Sequence, residues 1–155
     1  RKIAVLGGPA TSHPSMMRRQ GAQQAMEDAG IRFEDKLYGL SNYDFESAYH
    51  AMNGLLARRA EFTALFAMSD VIAFGAIRAL VSAGLRVPED VSVIGFDGIT
   101  MSRYCVPVMT TIVQPSEQIA LQSIELLVRQ IEHGTPAQTV TLQPELQQGE
   151  SVRAI

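Results

Sequence analysis

The feature that most constrains the fold is a regular alternation of short apolar runs with longer segments of helical period. The apolar runs read "KIAVLGG", "DKLYGL", "TALFAM" and "VSVIGF", and a helical segment separates each from the next or follows it. Strands that alternate with helices are joined by crossover connections, which make neighbouring strands parallel. The sequence therefore predicts an α/β fold with a mostly parallel sheet flanked by helices.

Start and stop signals delimit the predicted helices. The first has Pro14 in its opening turn and ends at Gly30, the second begins at Asp44, and Ser69 caps the third. A fourth helix is predicted from Ser116 to His133. Its apolar stripe consists of Ala120, Ile124, Leu127 and Ile131. Such a stripe needs a partner surface.

Composition and charge exclude several classes of protein. A chain of 155 residues with 46% hydrophobic residues has the size and apolar content of one globular domain. The formal charge of −3 comes without long runs of either sign, so there is no electrostatic footprint for nucleic acid or an anionic membrane. No apolar run reaches membrane-spanning length. A single cysteine, Cys105, allows no intrachain disulfide and favours a reducing compartment, which we take as the cytoplasm.

Polar side chains are predicted to gather at one edge of the sheet. In parallel α/β sheets, ligands bind beyond the carboxyl ends of the strands, where loops and helix N-termini meet. Three loops with polar residues leave that edge: residues 7–14, the pair Ser69 and Asp70, and Asp97 with Gly98. We expect these loops to face a common crevice.

Arg18 is expected to point into that crevice. It shares one helical stripe with Ala22, Ala25 and Ala29, the small residues predicted to pack on the sheet. An inward arginine and Asp97 would form a polar clamp that offers donors and acceptors to a ligand. The same two residues would equally satisfy one another as a buried ion pair. From these residues alone, both interpretations stay open.

The sequence contains no signature of a metal site, a cofactor site or an active site. The three histidines are far apart and have no metal-ligand spacing with Cys105 or any carboxylate. No local motif makes Cys105 a nucleophile, and the "GG" of the first loop lacks the spacing of a dinucleotide or phosphate loop. We therefore expect no catalytic residue, no metal and no cofactor, and a protein that is not an enzyme.

Taken together, these segments resemble the effector-binding domain of the LacI/GalR family of bacterial transcription regulators. The resemblance runs in order through "IAVLGGP", "RRQGAQQAMEDAGI", "ALFAMSDVIAFGAIRALVSAGLRVPEDVSVIGFDG" and "VPVMTTIVQP", and "GLRVPEDVSVIGFDG" is its most specific part. It implies a two-lobed, type I periplasmic-binding-protein-like fold that binds a small sugar or a related polyhydroxylated metabolite. The expected function is that of the effector module of a DNA-binding regulator, in particular a repressor.

The resemblance also assigns ligand-binding roles. It implies that Arg18 contacts the effector's hydroxyl groups and that Asp97 accepts hydrogen bonds from them. Ser69 stands where the family often has Asn, and as a helix cap it has an equally good structural role. Tyr43 falls where an aromatic residue often stacks on the sugar, although an aromatic beside a helix start can also be a hydrophobic staple.

The resemblance implies that the chain is part of a longer protein. Residues 1–113 would be the C-terminal lobe, residues 114–136 a crossover helix belonging to the other lobe, and residues 137–155 the return to the C-terminal lobe. The DNA-binding domain and the N-terminal lobe would lie outside this chain. Operator DNA is then a partner only through the missing N-terminal domain.

A homodimer is the expected assembly. The third helix is apolar on more than one side, and Phe74 and Val81 project away from the face meant for the sheet. Family resemblance adds the segment "SRYCVPV" with Tyr104 and Cys105 to this surface.

The alternative function is a periplasmic sugar-binding protein of an ABC transporter, which shares the architecture. A Rossmann-like enzyme is a third possibility, without a motif to support it.

Overall fold

A computed structural model of the chain describes residues 2–59 and 61–153. The strands within these residues are β1 (Ile3–Gly7), β2 (Tyr38–Leu40), β3 (Ala64–Ala67), β4 (Ser92–Asp97), β5 (Thr110–Val113) and β6 (Glu145–Gln147). The helices are α1 (His13–Asp28), α2 (Phe45–Ala57), α3 (Asp70–Ser82) and α4 (Ser116–His133). Two short 3-10 helices span Asp35–Leu37 and Thr100–Arg103.

The strands form one sheet in the order β2-β1-β3-β4-β5-β6. The pairings from β2 to β5 are parallel, and β6 pairs with β5 in the antiparallel direction. The predicted α/β fold with a mostly parallel sheet is confirmed. The second strand is shorter than "DKLYGL" suggests, because residues 35–37 form a 3-10 turn before the chain joins the sheet at Tyr38.

Capping residues lie where the sequence predicts them. The Asp44 carboxylate accepts the Ser47 backbone N–H at 2.7 Å at the start of α2, and Ser69 Oγ accepts that of Ile72 at 3.2 Å at the start of α3. Each bond satisfies a helix N–H that has no partner within its helix. The last helix runs as predicted from Ser116 to His133, and Gly134 closes it in the left-handed conformation with φ 59°.

The buried face of α1 differs from the predicted stripe. Arg18 and Ala22 lie inward, but Ala25 and Ala29 are exposed, and Met26 is buried in their place. Turning α1 toward Met26 removes more apolar area from water than burying two alanine methyl groups. Arg18 therefore stands at the margin of the buried face, close to the carboxyl edge of the sheet.

The two faces of the sheet are covered unequally. On one face, α2 and α3 cover fully buried strand residues such as Leu6, Leu65 and Val93. The other face carries α1, and beside it an open groove of about 490 Å³ exposes part of the sheet. The groove is lined by apolar side chains that include Phe66, Ile94 and Phe96. A parallel sheet normally has helices on both faces, so this face is incompletely covered within the described residues.

The helix α4 projects from the rest of the fold, and none of its residues is buried. Ile124, Leu127 and Ile131 are 61%, 51% and 73% exposed. The segment after it stays close to α4, since Val140 and Leu142 line a cavity together with α4 residues. The chain then returns to the sheet as β6. No helix in the described part of the chain is long and apolar enough to span a membrane.

We expect Gly75→Ala to destabilise the fold by about 1–3 kcal/mol, because overpacking forces backbone or side-chain shifts. A Cβ at Gly75 would lie 2.5 Å from the Phe45 carbonyl oxygen and 2.8 Å from the Ala48 Cβ, where α3 packs on α2. Gly54 is the matched control, since a Cβ there meets nothing within 4 Å. Gly54→Ala should add about 0.5–1 kcal/mol of helix stability. Urea unfolding measures both, and equal effects of the two substitutions would contradict this packing.

Candidate functional site

The connections of β1 and β3 create a crevice at the carboxyl edge of the sheet. These strands are neighbours, yet β1 leads into α1 on one face and β3 leads into α3 on the other. Loops that leave adjacent strands in opposite directions open a crevice between them, the usual ligand position in an open α/β sheet. The loops predicted from the sequence to meet at this edge do so.

Arg18 is the cation at this edge. Its Nη2 donates to Asp97 Oδ1 at 3.3 Å, and its Nη1 donates to the carbonyl oxygen of Met68. The guanidinium also lies over the Phe96 ring, with Cζ 3.8 Å from the ring centroid. These three contacts fix the orientation of the guanidinium, and the Arg18 side chain remains 18% exposed.

Asp97 ends β4 and carries the acceptor of the site. It receives a second hydrogen bond on Oδ1 from Gln114 Nε2 at 2.6 Å. Both of these side-chain bonds use the same oxygen, so Oδ2 keeps its capacity to accept from a further donor. The side chain is 27% exposed, and within the described residues no buried side-chain polar atom lacks a partner. Oδ2 is therefore available to a hydroxyl or N–H of a bound molecule.

Desolvation dominates the protonation equilibrium of Asp97. Burial raises the pKa of this carboxyl above its ordinary value, while the charge of Arg18 and the hydrogen bond from Gln114 lower it. The nearby Asp70 carboxylate raises it further. The ion pair therefore compensates only part of the cost of removing the carboxylate from water.

Ser69 and Tyr43 lie beside this pair without bonding to it in the described hydrogen bonds. Ser69 is 4% exposed and uses its hydroxyl to cap α3, directly after the Met68 carbonyl that Arg18 binds. The Tyr43 hydroxyl shares a 2.7 Å hydrogen bond with Ser15 Oγ on α1. Its ring lies against Gly8, where a Cβ would be 2.2 Å from the ring. Tyr43 thus closes the loop after β1, next to the crevice.

Two residues at this site, Gln114 and Phe96, were not predicted from the sequence. Gln114 directly follows β5, so the rule that places polar residues at the carboxyl ends of strands could have identified it. Phe96 precedes Asp97 on β4 and looks like an ordinary core residue in the sequence. Only the position of α1 shows that its ring supports the Arg18 guanidinium.

The described residues contain no group of three or more histidine, cysteine, aspartate or glutamate side chains that could hold a metal ion. The polar groups gathered at the edge of the sheet are a guanidinium, a carboxylate and an amide. Such groups can bind a hydroxyl-rich small molecule by hydrogen bonds.

A second group of residues, those predicted for a dimer interface, lies on the surface apart from the crevice. Val81 is 53% and Tyr104 is 77% exposed, and their neighbour Val106 is 93% exposed. Phe74 is partly buried against the core. Cys105 is also partly buried, and its Sγ donates to the carbonyl oxygens of Ser102 and Pro107 at 3.3 and 3.1 Å. Burial raises the pKa of the Cys105 thiol, which lowers the fraction of the reactive thiolate form.

An open α/β lobe with a polar crevice at its switch point has the usual geometry of a ligand-binding site. The sequence matches the periplasmic binding protein-like domain family over residues 1–152. It is 35% identical over 156 residues to the transcriptional repressor PurR of Histophilus somni (strain 129Pt). The aligned region covers 100% of this chain and 47% of the repressor. It is 39% identical over 137 residues to the transcriptional regulator MalR of Clostridium butyricum, covering 88% of this chain and 41% of the regulator.

Solved structures of regulators share the fold. A complex of the transcriptional regulator CelR with cellobiose superposes with a TM-score of 0.93 at 34% identity, covering 97% of this chain and 46% of that chain. A dimeric Lac repressor superposes with a TM-score of 0.91 at 25% identity, covering 97% of this chain and 55% of that chain. The chain spans about half the length of these relatives.

The chain belongs to the periplasmic binding protein-like domain family, in the form found in LacI/GalR transcription regulators. The family resemblance inferred from the sequence is confirmed. The similar proteins are named as transcriptional regulators, which supports a regulator's effector-binding domain over a transport protein or an enzyme.

The raised pKa of Asp97 predicts a distinctive pH dependence of stability. Because the folded-state pKa lies above the unfolded value, ionised Asp97 costs stability as the pH rises above about 4. Relative to the parent protein, the effect of Asp97→Asn on the free energy of unfolding should therefore be more favourable to the fold at about pH 7 than at about pH 3.5. Urea unfolding at the two pH values measures the difference.

Asp90→Asn is the control for this experiment. Hydrogen bonds from Arg86 lower the pKa of Asp90 to about 2, so its ionised form stabilises the fold and that stability is lost as the pH falls toward 2. The substitution should therefore cost more stability at neutral pH than at acidic pH, the opposite sign to Asp97→Asn. If the effects of both substitutions on the free energy of unfolding changed with pH in the same direction, the desolvation of Asp97 would be contradicted.

Proposed function

We propose that this chain is the effector-sensing part of a LacI/GalR-type transcriptional regulator and binds a small, hydroxyl-rich metabolite at the Arg18–Asp97 pair. The observation that carries the proposal is the position of this pair at the switch-point crevice. Both side chains are anchored by protein contacts and keep accessible surface. A sugar-like effector would shift an equilibrium between conformations and so change the affinity of the DNA-binding part for its operator.

The chemistry of the pair suits a polyol. Asp97 Oδ2 is open to accept from a hydroxyl, and the guanidinium of Arg18 can donate to the oxygen of a neighbouring hydroxyl. The apolar Phe96 ring beneath the guanidinium limits its motion, so little conformational entropy is lost on binding. Tyr43 is proposed to stack on the sugar from the adjacent loop, and Ser69 to offer its hydroxyl as a weaker contact.

The domain organisation predicted from the sequence forms part of this proposal. Residues 1–113 and 137–155 would belong to the C-terminal lobe and residues 114–136 to the other lobe. The absence of any buried residue in α4 supports this, because an exposed apolar face needs a surface outside the described fold. Strand β6 pairs with β5, which supports the return to the first lobe, whereas Val140 and Leu142 stay beside α4.

Thermal-shift screening of the full-length protein tests the proposal. The probes are neutral disaccharides beginning with cellobiose, then monosaccharides, sugar phosphates and purine bases. A probe at about 100 times its dissociation constant should stabilise the protein by about 2.7 kcal/mol. Release from operator DNA, or tighter binding to it, on adding that probe would establish the regulator. Chemical turnover of a probe would instead support an enzyme. A regulator acts in the cytoplasm, so a secreted, periplasmic full-length protein would favour the transport alternative.

Arg18→Ala and Asp97→Ala should each weaken binding of the probe found in that screen by about 2–5 kcal/mol, because each leaves its partners unpaired in a desolvated site. Isothermal titration calorimetry measures the affinity, and circular dichroism shows whether the variant is folded. Arg19→Ala is the matched control, since Arg19 lies one position along α1 and pairs with Asp35 away from the crevice. Native affinity in both site variants would refute the clamp, and unfolding of both would favour a purely structural ion pair.

We propose that the full-length protein is a homodimer paired through the surface around Val81, Tyr104, Phe74 and Cys105. Exposed apolar side chains flank Tyr104 and Cys105 along the chain, since Met101 is 58% and Val106 is 93% exposed. Two-fold pairing also suits a regulator that reads two half-sites of a palindromic operator. The dimeric Lac repressor with the same fold is consistent with this assembly.

Val81→Glu should convert the dimer into a monomer, because it places an unpaired charge in an apolar interface. Val81 is a better test than Phe74, whose ring also packs against the core of its own lobe. Met17→Glu is the control, since Met17 and Val81 are both 53% exposed and Met17 lies on a different surface. Sedimentation of the full-length protein at micromolar concentration decides. A parent protein that is already monomeric would refute the assembly.

A further inference from the structure

Asp70 is a buried carboxylate that belongs neither to the proposed effector contacts nor to the α3 cap. It is the first residue of α3 and has 0% exposure. An ionised group without access to water must be held by hydrogen bonds, because isolated burial of a charge is very costly. Its surroundings therefore show what the carboxylate does.

The Asp70 carboxylate joins α3 to the ends of β4 and β5. Thr111 Oγ1 donates to Oδ1 at 2.5 Å, and the backbone N–H of Ile99 donates to Oδ2 at 2.9 Å. Burial raises the pKa of Asp70, and these two bonds, with the backbone N–H groups of Gly98 and Phe96, counteract that rise. The groups around the carboxylate are thus hydrogen-bond donors.

The sequence reserves space for this carboxylate on β4. A Cβ at Gly95 would lie 2.2 Å from Asp70 Oδ1, closer than any side chain allows. Glycine at this position therefore lets the carboxylate lie directly against the strand. This contact between Asp70 and Gly95 lies on β4, two residues before Asp97 and the turn that carries it.

That turn has an unusual backbone. Asp97 has φ 118° and Gly98 has φ 71°, so two successive residues are in the region that L side chains rarely adopt. A Cβ at Gly98 would lie 2.7–2.8 Å from atoms of Val113. Because glycine has no side chain, the turn can lie this close to β5. The bond from Ile99 to Asp70 fixes the residue at which the chain leaves this conformation. The orientation of Asp97 toward Arg18 and Gln114 depends on the turn keeping this shape.

We infer that Asp70 is a positioning residue, which holds the turn of residues 97–99 so that the Asp97 carboxylate faces Arg18 at the crevice. This inference rests on the proposed effector site, because it assigns to Asp70 the maintenance of that site in the absence of effector. Asp70 itself is fully buried, so its role is assigned through the turn and not through a contact with effector. The Asp70 carboxylate lies near that of Asp97 and raises the pKa of Asp97, so the two carboxylates do not attract one another. Asp70 acts on Asp97 through its hydrogen bond to the turn.

The experiment uses ligand-free full-length protein with Asp70→Asn. The amide replaces one acceptor by an NH₂ group that faces hydrogen-bond donors, while the shape of the side chain is kept. Hydrogen exchange of peptides covering residues 96–102 should become at least about tenfold faster, because a charge-assisted bond is lost from the turn. A crystal structure of the variant should show that the 3.3 Å contact between Arg18 Nη2 and Asp97 Oδ1 is broken.

Asp90→Asn is the matched control, because Asp90 also accepts a backbone N–H, from Arg86 at 2.8 Å, just before the start of β4 and thus at the opposite end of that strand from the turn. It should leave exchange of residues 96–102 and the Arg18–Asp97 contact unchanged. If Asp70→Asn does not fold, Thr111→Val replaces it as the test, since it removes the donor to Oδ1 and should accelerate the same exchange. An intact Arg18–Asp97 contact with unchanged exchange in the folded variant would overturn the inference. Neither readout requires an effector, so failure of the effector proposal is recognised separately.

Discussion

The constraint on which the site depends is the divergence of two crossover connections from adjacent parallel strands. Because β1 leads to α1 on one face and β3 leads to α3 on the other, the loops after these strands separate. Arg18 reaches across the opening from α1, bonds to the Met68 carbonyl at the end of β3 and meets Asp97 at the end of β4. Three elements of secondary structure thus converge on one guanidinium.

This convergence is stabilised by contacts that each solve a local problem. The Phe96 ring packs against the planar guanidinium of Arg18, and Gln114 donates a hydrogen bond to the Asp97 carboxylate. Asp70 accepts a hydrogen bond from the Ile99 N–H at the end of the turn in which Asp97 and Gly98 have positive φ values. Two carboxylates and one arginine therefore coexist in a small volume, at the cost of raised pKa values for both acids. Perturbed pKa values of this kind are common at functional sites.

The two faces of the sheet are covered unequally within the described residues. Gly75 allows α2 and α3 to pack closely on one face, whereas the other face has α1 and the open groove. The helix α4 presents its apolar stripe to solvent along its whole length. Both features fit a chain that spans about half the length of its relatives. The hydrophobic effect makes such surfaces places where further protein packs.

The sequence by itself determined the order and type of the elements, because hydrophobic period and capping chemistry are local. The limits of α4, the caps at Asp44 and Ser69 and the parallel sheet follow from residues that lie within a few positions of one another. It also placed Arg18 and Asp97 at the same edge, since strand direction follows from the crossover pattern. Only the tertiary structure decided that Met26 rather than Ala25 and Ala29 faces the sheet, because that depends on how α1 rotates against other elements. It also decided the roles of Phe96, Gln114 and Asp70, whose partners are distant in the chain and become neighbours only when the strands pair.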